Sequence, residues 1–244
     1  FFLDYVASSR LDPEMIARIV AGAAKACRAA GCALLGGETA EMPGVYAPGE
    51  IDLVGTIVGW VERERIIDGS AIRPGDVALG LASSGLHTNG YSLARRALAA
   101  EPLNGDHPTL GRPLGEALLV PHRSYLPLVG RMEASVRIKG LAHLTGGGFE
   151  NIPRILPAGT AVRIDPTAWE VPALFRLIQQ VGKVEGAEMY RVFNMGVGMV
   201  AFVAAQDASA ALAALGEPAW VIGEVVPQGA SAERVVWPWS SSQS

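Results

Sequence analysis

Three short segments of the 244-residue chain hold side chains of the types that do chemistry. Gly36-Gly37-Glu38-Thr39-Ala40-Glu41-Met42-Pro43-Gly44 joins two glycines to two carboxylates three residues apart. Glycines let a backbone come close to a ligand, and paired carboxylates suit Mg2+ carried on phosphates. A surface turn with solvated acids satisfies the same spacing. Ser83-Ser84-Gly85-Leu86-His87-Thr88-Asn89-Gly90-Tyr91 falls between an expected strand and an expected helix, where open α/β sheets place ligands. Ser, His, Thr and Asn supply donors, and His87 suits an acid, a base or a neutral donor. The alternative is an elaborate helix cap with His87 bonded to backbone. His143-Leu144-Thr145-Gly146-Gly147-Gly148-Phe149-Glu150-Asn151 is the sharpest signal. Three glycines in a row cost folding entropy and make sense where bare N–H groups wrap an anion at a helix start. A tight turn without a ligand is the competing reading. The Lys-Ser/Thr pair of a Walker A loop is absent.

Weaker signals surround these. The glycines of Phe193-Asn194-Met195-Gly196-Val197-Gly198-Met199 read as packing or a bulge. His143 lies on an apolar strand and reads as a satisfied core histidine. His107 and His122 receive no role. No Ser-His-Asp set or metal-binding His pair stands out.

The elements that must position these segments follow from periodicity and punctuation. Asp12-Pro13-Glu14 opens a helix as N-cap, N1 and first-turn acid. Met15, Ile16, Ile19, Val20, Ala23 and Cys27 continue it, and Gly31 closes it. A buried strand over 32–35, a loop over 36–49 and a covered strand over 51–61 come next. Polar residues 62–75 mark a boundary between units 1–70 and 71–238. In the second unit, strands are expected over 77–82, 136–143, 161–164, 197–204 and 219–225. Helices are expected over 91–100, 123–132, 151–156, 172–181 and 208–215, with a Pro/Gly-rich excursion over 101–115. Alternation of this kind predicts an α/β or α+β architecture. Residues 237–244, and 239–244 above all, read as a frayed tail.

Composition bounds the function. Half the residues are hydrophobic, mean hydropathy is +0.27, and the formal net charge is −4. A disordered chain is excluded, and no basic footprint for nucleic acid exists. No apolar run is long enough for a membrane span. Two cysteines, Cys27 and Cys32, make no disulfide framework and suggest a reducing, cytoplasmic setting.

Together the blocks FFLDY, GGETAEMPG, IIDGS, SSGLHTNGYSL, HLTGGGFENIPRILP and EMYRVFNMGVGM resemble the aminoimidazole ribonucleotide synthetase family, also called phosphoribosylformylglycinamidine cyclo-ligases. They occur in the family's order across nearly the whole chain. The resemblance implies two domains, the first a partial remnant that holds much of an ATP site and contributes strands to a homodimer, the second an α/β domain covering the cleft. It implies that ATP phosphorylates the formyl oxygen of formylglycinamidine ribonucleotide and that an amidine nitrogen then closes the imidazole ring, a step of de novo purine biosynthesis. Residue by residue, it implies Mg2+ or substrate contacts for Glu38 and Glu41. Asp4, Gly36, Gly37 and Thr39 fall on the nucleotide side. His87 becomes the acid/base or polarising group, with Ser84 and Asn89 beside it. Thr145, Gly146, Gly147, Gly148 and Asn151 would hold a phosphate, that of the ribonucleotide.

Two departures stand beside the resemblance. The family carries a Gly/Asp-rich segment of the type GTDGVGTK ahead of FFLDY. A chain without it is expected to be weakly active or inactive and to expose apolar strand edges. The family also places one more residue between the glycines and ENIPR, so the turn before Asn151 is shorter here. Another ATP-using enzyme of the superfamily and a non-catalytic phosphate-binding module are the alternatives.

Overall fold

A computed structural model describes residues 1–229 and 233–239. The chain divides after Ile66 into two compact units. Residues 240–244, within the expected tail, lie outside the described residues.

The first unit is a three-stranded sheet in the order β2-β1-β3 with one helix. β1 (Phe2–Ser8) runs parallel to β2 (Leu34–Glu41) and antiparallel to β3 (Ile51–Ile57). α1 (Pro13–Ala30) forms as its sequence dictates: Asp12 accepts from the amides of Glu14 and Met15, and Gly31 closes it at φ 65°. The crossover β1-α1-β2 is long enough to return a parallel strand.

Two expectations fail in this unit. The 36–49 loop is a strand through Glu41, because β1 offers an unpaired edge. Its backbone pairs without interruption from Leu3 with Gly36 to Ser8 with Glu41, and that ladder overrides the weak strand preference of glycine. Nor is β3 covered: every residue of it is exposed, and Leu53, Val54, Ile57, Val58, Trp60 and Val61 face solvent.

The second unit is a six-stranded mixed sheet in the order β11-β8-β10-β4-β9-β7, with a small hairpin β5-β6. Its strands are β4 (Asp76–Ala82), β5 (Asp106–His107), β6 (Arg112–Pro113), β7 (Gly140–His143), β8 (Thr160–Ile164), β9 (Val197–Ala204), β10 (Ala219–Pro227) and β11 (Val235–Val236). Its helices are α2 (Tyr91–Ala97), α3 (Leu114–Leu118), α4 (Leu126–Glu133), α5 (Ala173–Gly182), α6 (Gly186–Val192) and α7 (Ala208–Leu215). Strand alternation sorts the core onto two faces. Ala78, Val200 and Phe202 join Ala94, Phe175, Ile178 and Met189 from α2, α5 and α6. Leu79, Leu81, Ala201 and Val203 join Leu128, Met132, Ala211 and Leu215 from α4 and α7.

Several boundaries differ from expectation. The 101–115 excursion carries the β5-β6 hairpin and ends in fully buried Leu114. The helix expected over 151–156 is a 3-10 helix over Gly148–Arg154. Pro153 lacks the N–H of an α-helix, and the Asn151 amide bonds back to the carbonyls of Gly146 and Gly148. β11 has no sequence signature, because two residues carry no period. Trp237, expected to fray, packs its ring against Phe149, Tyr190 and Trp239. Arg234, just before β11, donates to four carbonyls, those of Pro153, Leu156, Pro157 and Thr160.

Candidate functional site

Antiparallel pairing brings the end of β4, the end of β7 and the start of β9 to one edge of the large sheet: Ala82 lies opposite Val197, and His143 opposite Met199. The two richest sequence segments leave from the ends of β4 and β7 and meet there. Asn89 of the first reaches over the second: its Oδ1 lies 3.3 Å from where a Gly146 side chain would begin.

The loop after β4 is held by its own polar groups. Asn194 is 3% exposed. Its Oδ1 accepts from the Ser83 hydroxyl and the Gly196 amide, and its Nδ2 donates to the Gly85 carbonyl. The Ser84 amide donates to His87 Nε2 at 3.1 Å, and the Ser84 hydroxyl donates to the Pro121 carbonyl. His87 sits at φ 59°, a conformation uncommon outside glycine. It is 3% exposed, and its Nδ1 has no partner. Because Nε2 accepts, Nδ1 carries the proton of the neutral ring.

Gly198 on β9 makes this arrangement possible. A side chain there would begin 2.0 Å from Tyr125 Oη and 2.4 Å from His87 Cε1. The packing role expected of this glycine is thus packing against the site itself. Tyr125 Oη donates to the Ala82 carbonyl, and burial raises its pKa.

Three histidines converge, which corrects two expectations. His143 is not a core histidine but exposed, and its Nε2 lies 3.1 Å from Nε2 of His122. His87 stacks on His122 at 3.8 Å between ring centroids. Burial, then His122, His143 and Arg123, push the His87 pKa down to about 3. The His87 imidazole is therefore neutral at pH 7. The His122 pKa is lowered too, by its partial burial and then by His143, and that of His143 in the same direction by the part of its ring packed against its neighbours. No local signal marked His122; only the fold places it beside the other two.

The triple-glycine turn is partly structural. Gly147 (φ 99°) and Gly148 (φ 53°) need the left-handed region. A side chain on Gly148 would begin 2.1 Å from the Tyr190 carbonyl oxygen. The Gly148 N–H, expected to be bare, donates to the Thr145 carbonyl. Asn151 is buried and spends its amide on Gly146 and Gly148, while Thr145 Oγ1 donates to Asn151 Oδ1. Asn151 therefore shapes the turn. Gly146 is exposed and lies beside Asn89.

In the first unit, Asp4 rests on Gly37: a side chain there would begin 1.8 Å from Asp4 Oδ1. Asp4 Oδ2 is buried and unpartnered. Glu38 and Glu41 do not face one pocket as expected. Three residues apart on a regular strand, they point to opposite faces. Glu38 Oε1 accepts from the Thr39 amide and Glu41 Oε2 from the Leu11 amide. The pair does not fit a single Mg2+ ion. Gly36 and Thr39 are exposed on the same strand.

Residues 1–61 match the N-terminal domain of the AIR synthase related protein family, and residues 73–236 match its C-terminal domain. The chain belongs to the AIR synthase related family. The phosphoribosylformylglycinamidine cyclo-ligase of Desulfitobacterium hafniense is 52% identical over 232 residues, covering 93% of this chain and 68% of that protein. The enzyme of the same name from Paraburkholderia phymatum is 54% identical over 230 residues, covering 92% and 64%. The chain thus spans about two thirds of such relatives. Among solved structures, a hydrogenase maturation protein HypE superposes with a TM-score of 0.70 at 22% identity, covering 97% of this chain and 72% of that one. The thiamine-monophosphate kinase of Stenotrophomonas maltophilia gives 0.64 at 16%, covering 97% and 71%. These structural likenesses establish a shared fold.

Proposed function

We propose that this chain is the greater part of an ATP-dependent cyclo-ligase that closes the imidazole ring of aminoimidazole ribonucleotide from formylglycinamidine ribonucleotide in purine biosynthesis. The observation that carries the reading is the identity of more than half the residues with cyclo-ligases along 93% of the chain. Ring closure needs an activated formyl oxygen, a positioned amidine nitrogen and a group to manage protons. A neutral His87 supports the first of these as a polarising donor rather than as an acid or base. Its Nδ1–H is preorganised to stabilise charge developing on oxygen, and its low basicity keeps it from being an ammonium-like cation in the site.

Ser84 positions His87 through its amide, and Asn89 with the exposed Gly146 edge of the turn contacts the ribonucleotide. Thr145, Gly147, Gly148 and Asn151 hold that edge in shape. On the nucleotide side, Asp4 on its Gly37 floor, with Gly36 and Thr39, is the candidate surface for ATP; Glu38 and Glu41 contact ligand singly rather than through one shared Mg2+. The apolar row on β3 supports strand-mediated homodimerisation, and two free thiols support a cytoplasmic setting. No helix among the described residues is long and apolar enough to cross a membrane. The test is phosphate release from ATP with and without formylglycinamidine ribonucleotide, on the gene's complete product. Release that depends on that substrate supports the reading; no release with it rejects the reading.

A further inference from the structure

The chain has four histidines, and three of them bring a ring nitrogen each to within 4.8 Å of one another. They come from separate places in the second unit: the loop after β4, the segment before α4 and the last residue of β7. Nε2 of His122 and Nε2 of His143 are 3.1 Å apart. Two neutral imidazoles at that separation share one proton. A divalent ion can replace that proton, since Zn–N bonds of 2.0–2.1 Å at the tetrahedral angle put ligand nitrogens about 3.3 Å apart. The donor set is all imidazole, which suits Zn2+, Ni2+ and Cu2+ and not Mg2+. Among the described residues no carboxylate joins the cluster. Arg123, the cation that acts on His87, is paired with Glu217.

We propose that His122, His143 and His87 form a binding site for a first-row transition-metal ion of the Zn2+ class. His122 and His143 are the primary pair. His87 stacks face to face on His122, with 13° between the planes, and one ion cannot lie in two parallel ring planes. His87 therefore enters as third ligand when the partly exposed His122 ring turns and His87 Nε2 gives up the Ser84 amide. Exposure of His143 leaves the remaining positions to water, the open geometry of a reactive rather than a structural site. Neutral imidazoles need shed no proton beyond the shared one to bind. This site stands independently of the ring-closing reading, because its occupancy is measured without turnover.

The test is Co2+ titration of the full chain carrying Cys27→Ser and Cys32→Ser, which removes the thiol ligands of the first unit. Tetrahedral Co2+ reports itself by visible d–d absorption. One Co2+ per chain, displaced by Zn2+ and indifferent to Mg2+, is the expected result. His122→Ala and His143→Ala each weaken it at least about tenfold, and His107→Ala leaves it unchanged. His143→Gln, which keeps the side chain's bulk, with far-UV circular dichroism, separates lost ligation from lost fold. Binding that survives in the His122→Ala/His143→Ala double variant overturns the site. Binding unaffected by His87→Gln overturns the third ligand.

Discussion

His87 is held where it is by contacts that leave one of its atoms unsatisfied: its ring is buried, its Nε2 is engaged, and its Nδ1 has no partner. A buried donor without an acceptor costs about 1–3 kcal/mol, a cost the fold recovers if a ligand oxygen takes that N–H. His87→Gln should therefore lower turnover about 100-fold or more with little loss of stability. Steady-state kinetics beside thermal melting would check it, and wild-type turnover would remove His87 from the reaction. The ring also predicts a pH dependence. Its folded pKa of about 3 lies below the ordinary 6.5, so the unfolded chain binds a proton that the folded chain refuses. Stability is unaffected above pH 6.5 and falls as pH drops from 6.5 toward 3, by up to about 1.4 kcal/mol per pH unit for this one ring. Urea unfolding at pH 7 and pH 5 would show it, and His87→Gln should flatten the slope. His87 was legible in the sequence as a polar residue in a strand-to-helix loop. Its depressed basicity was not, because two of its perturbers, His122 and His143, lie 35 and 56 positions away.

At the scale of elements, the site depends on glycines that admit neighbours. Gly148 meets the Tyr190 and Phe193 carbonyl oxygens, at 2.1 and 2.9 Å from a would-be Cβ. Backbone cannot step aside as a side chain can, and φ 53° adds strain. Gly148→Ala should cost at least about 1–3 kcal/mol, whereas Gly146→Ala, open apart from Asn89, should leave stability nearly unchanged and weaken ribonucleotide binding. Denaturant midpoints for both, with KM for the second, test the division of labour within the turn. The sequence made the triple glycine conspicuous but not its partition, since three identical letters hide three different surroundings. The helices and strands with strong periods, such as α1 and β9, were readable almost to the residue. β2 was not: glycines and acids argue for a loop until a neighbouring strand offers them hydrogen bonds.

At the scale of the molecule, two units of unequal size share one chain, and the short 3-10 helix at Arg63–Arg65 just before their boundary is exposed. Brief trypsin treatment should cut first at Arg63 or Arg65 and leave a resistant fragment containing the six-stranded sheet. Mass spectrometry identifies the cut, and an earlier cut inside the second unit would contradict the division. The two-faced core of the second unit was visible only as alternating apolar letters, because which helix covers which face is a matter of topology.

The guanidinium of Arg234 has a consequence that reaches back along the chain. It gathers the carbonyls at the foot of the 3-10 helix that the glycine turn begins. The last strand thus works as a latch, fastened some eighty residues after the element it secures. Clipping the polypeptide just ahead of this latch would remove no side chain from the loops after β4 and β7, yet the bend would lose its anchor, and the phosphate contact proposed for it would slacken with it.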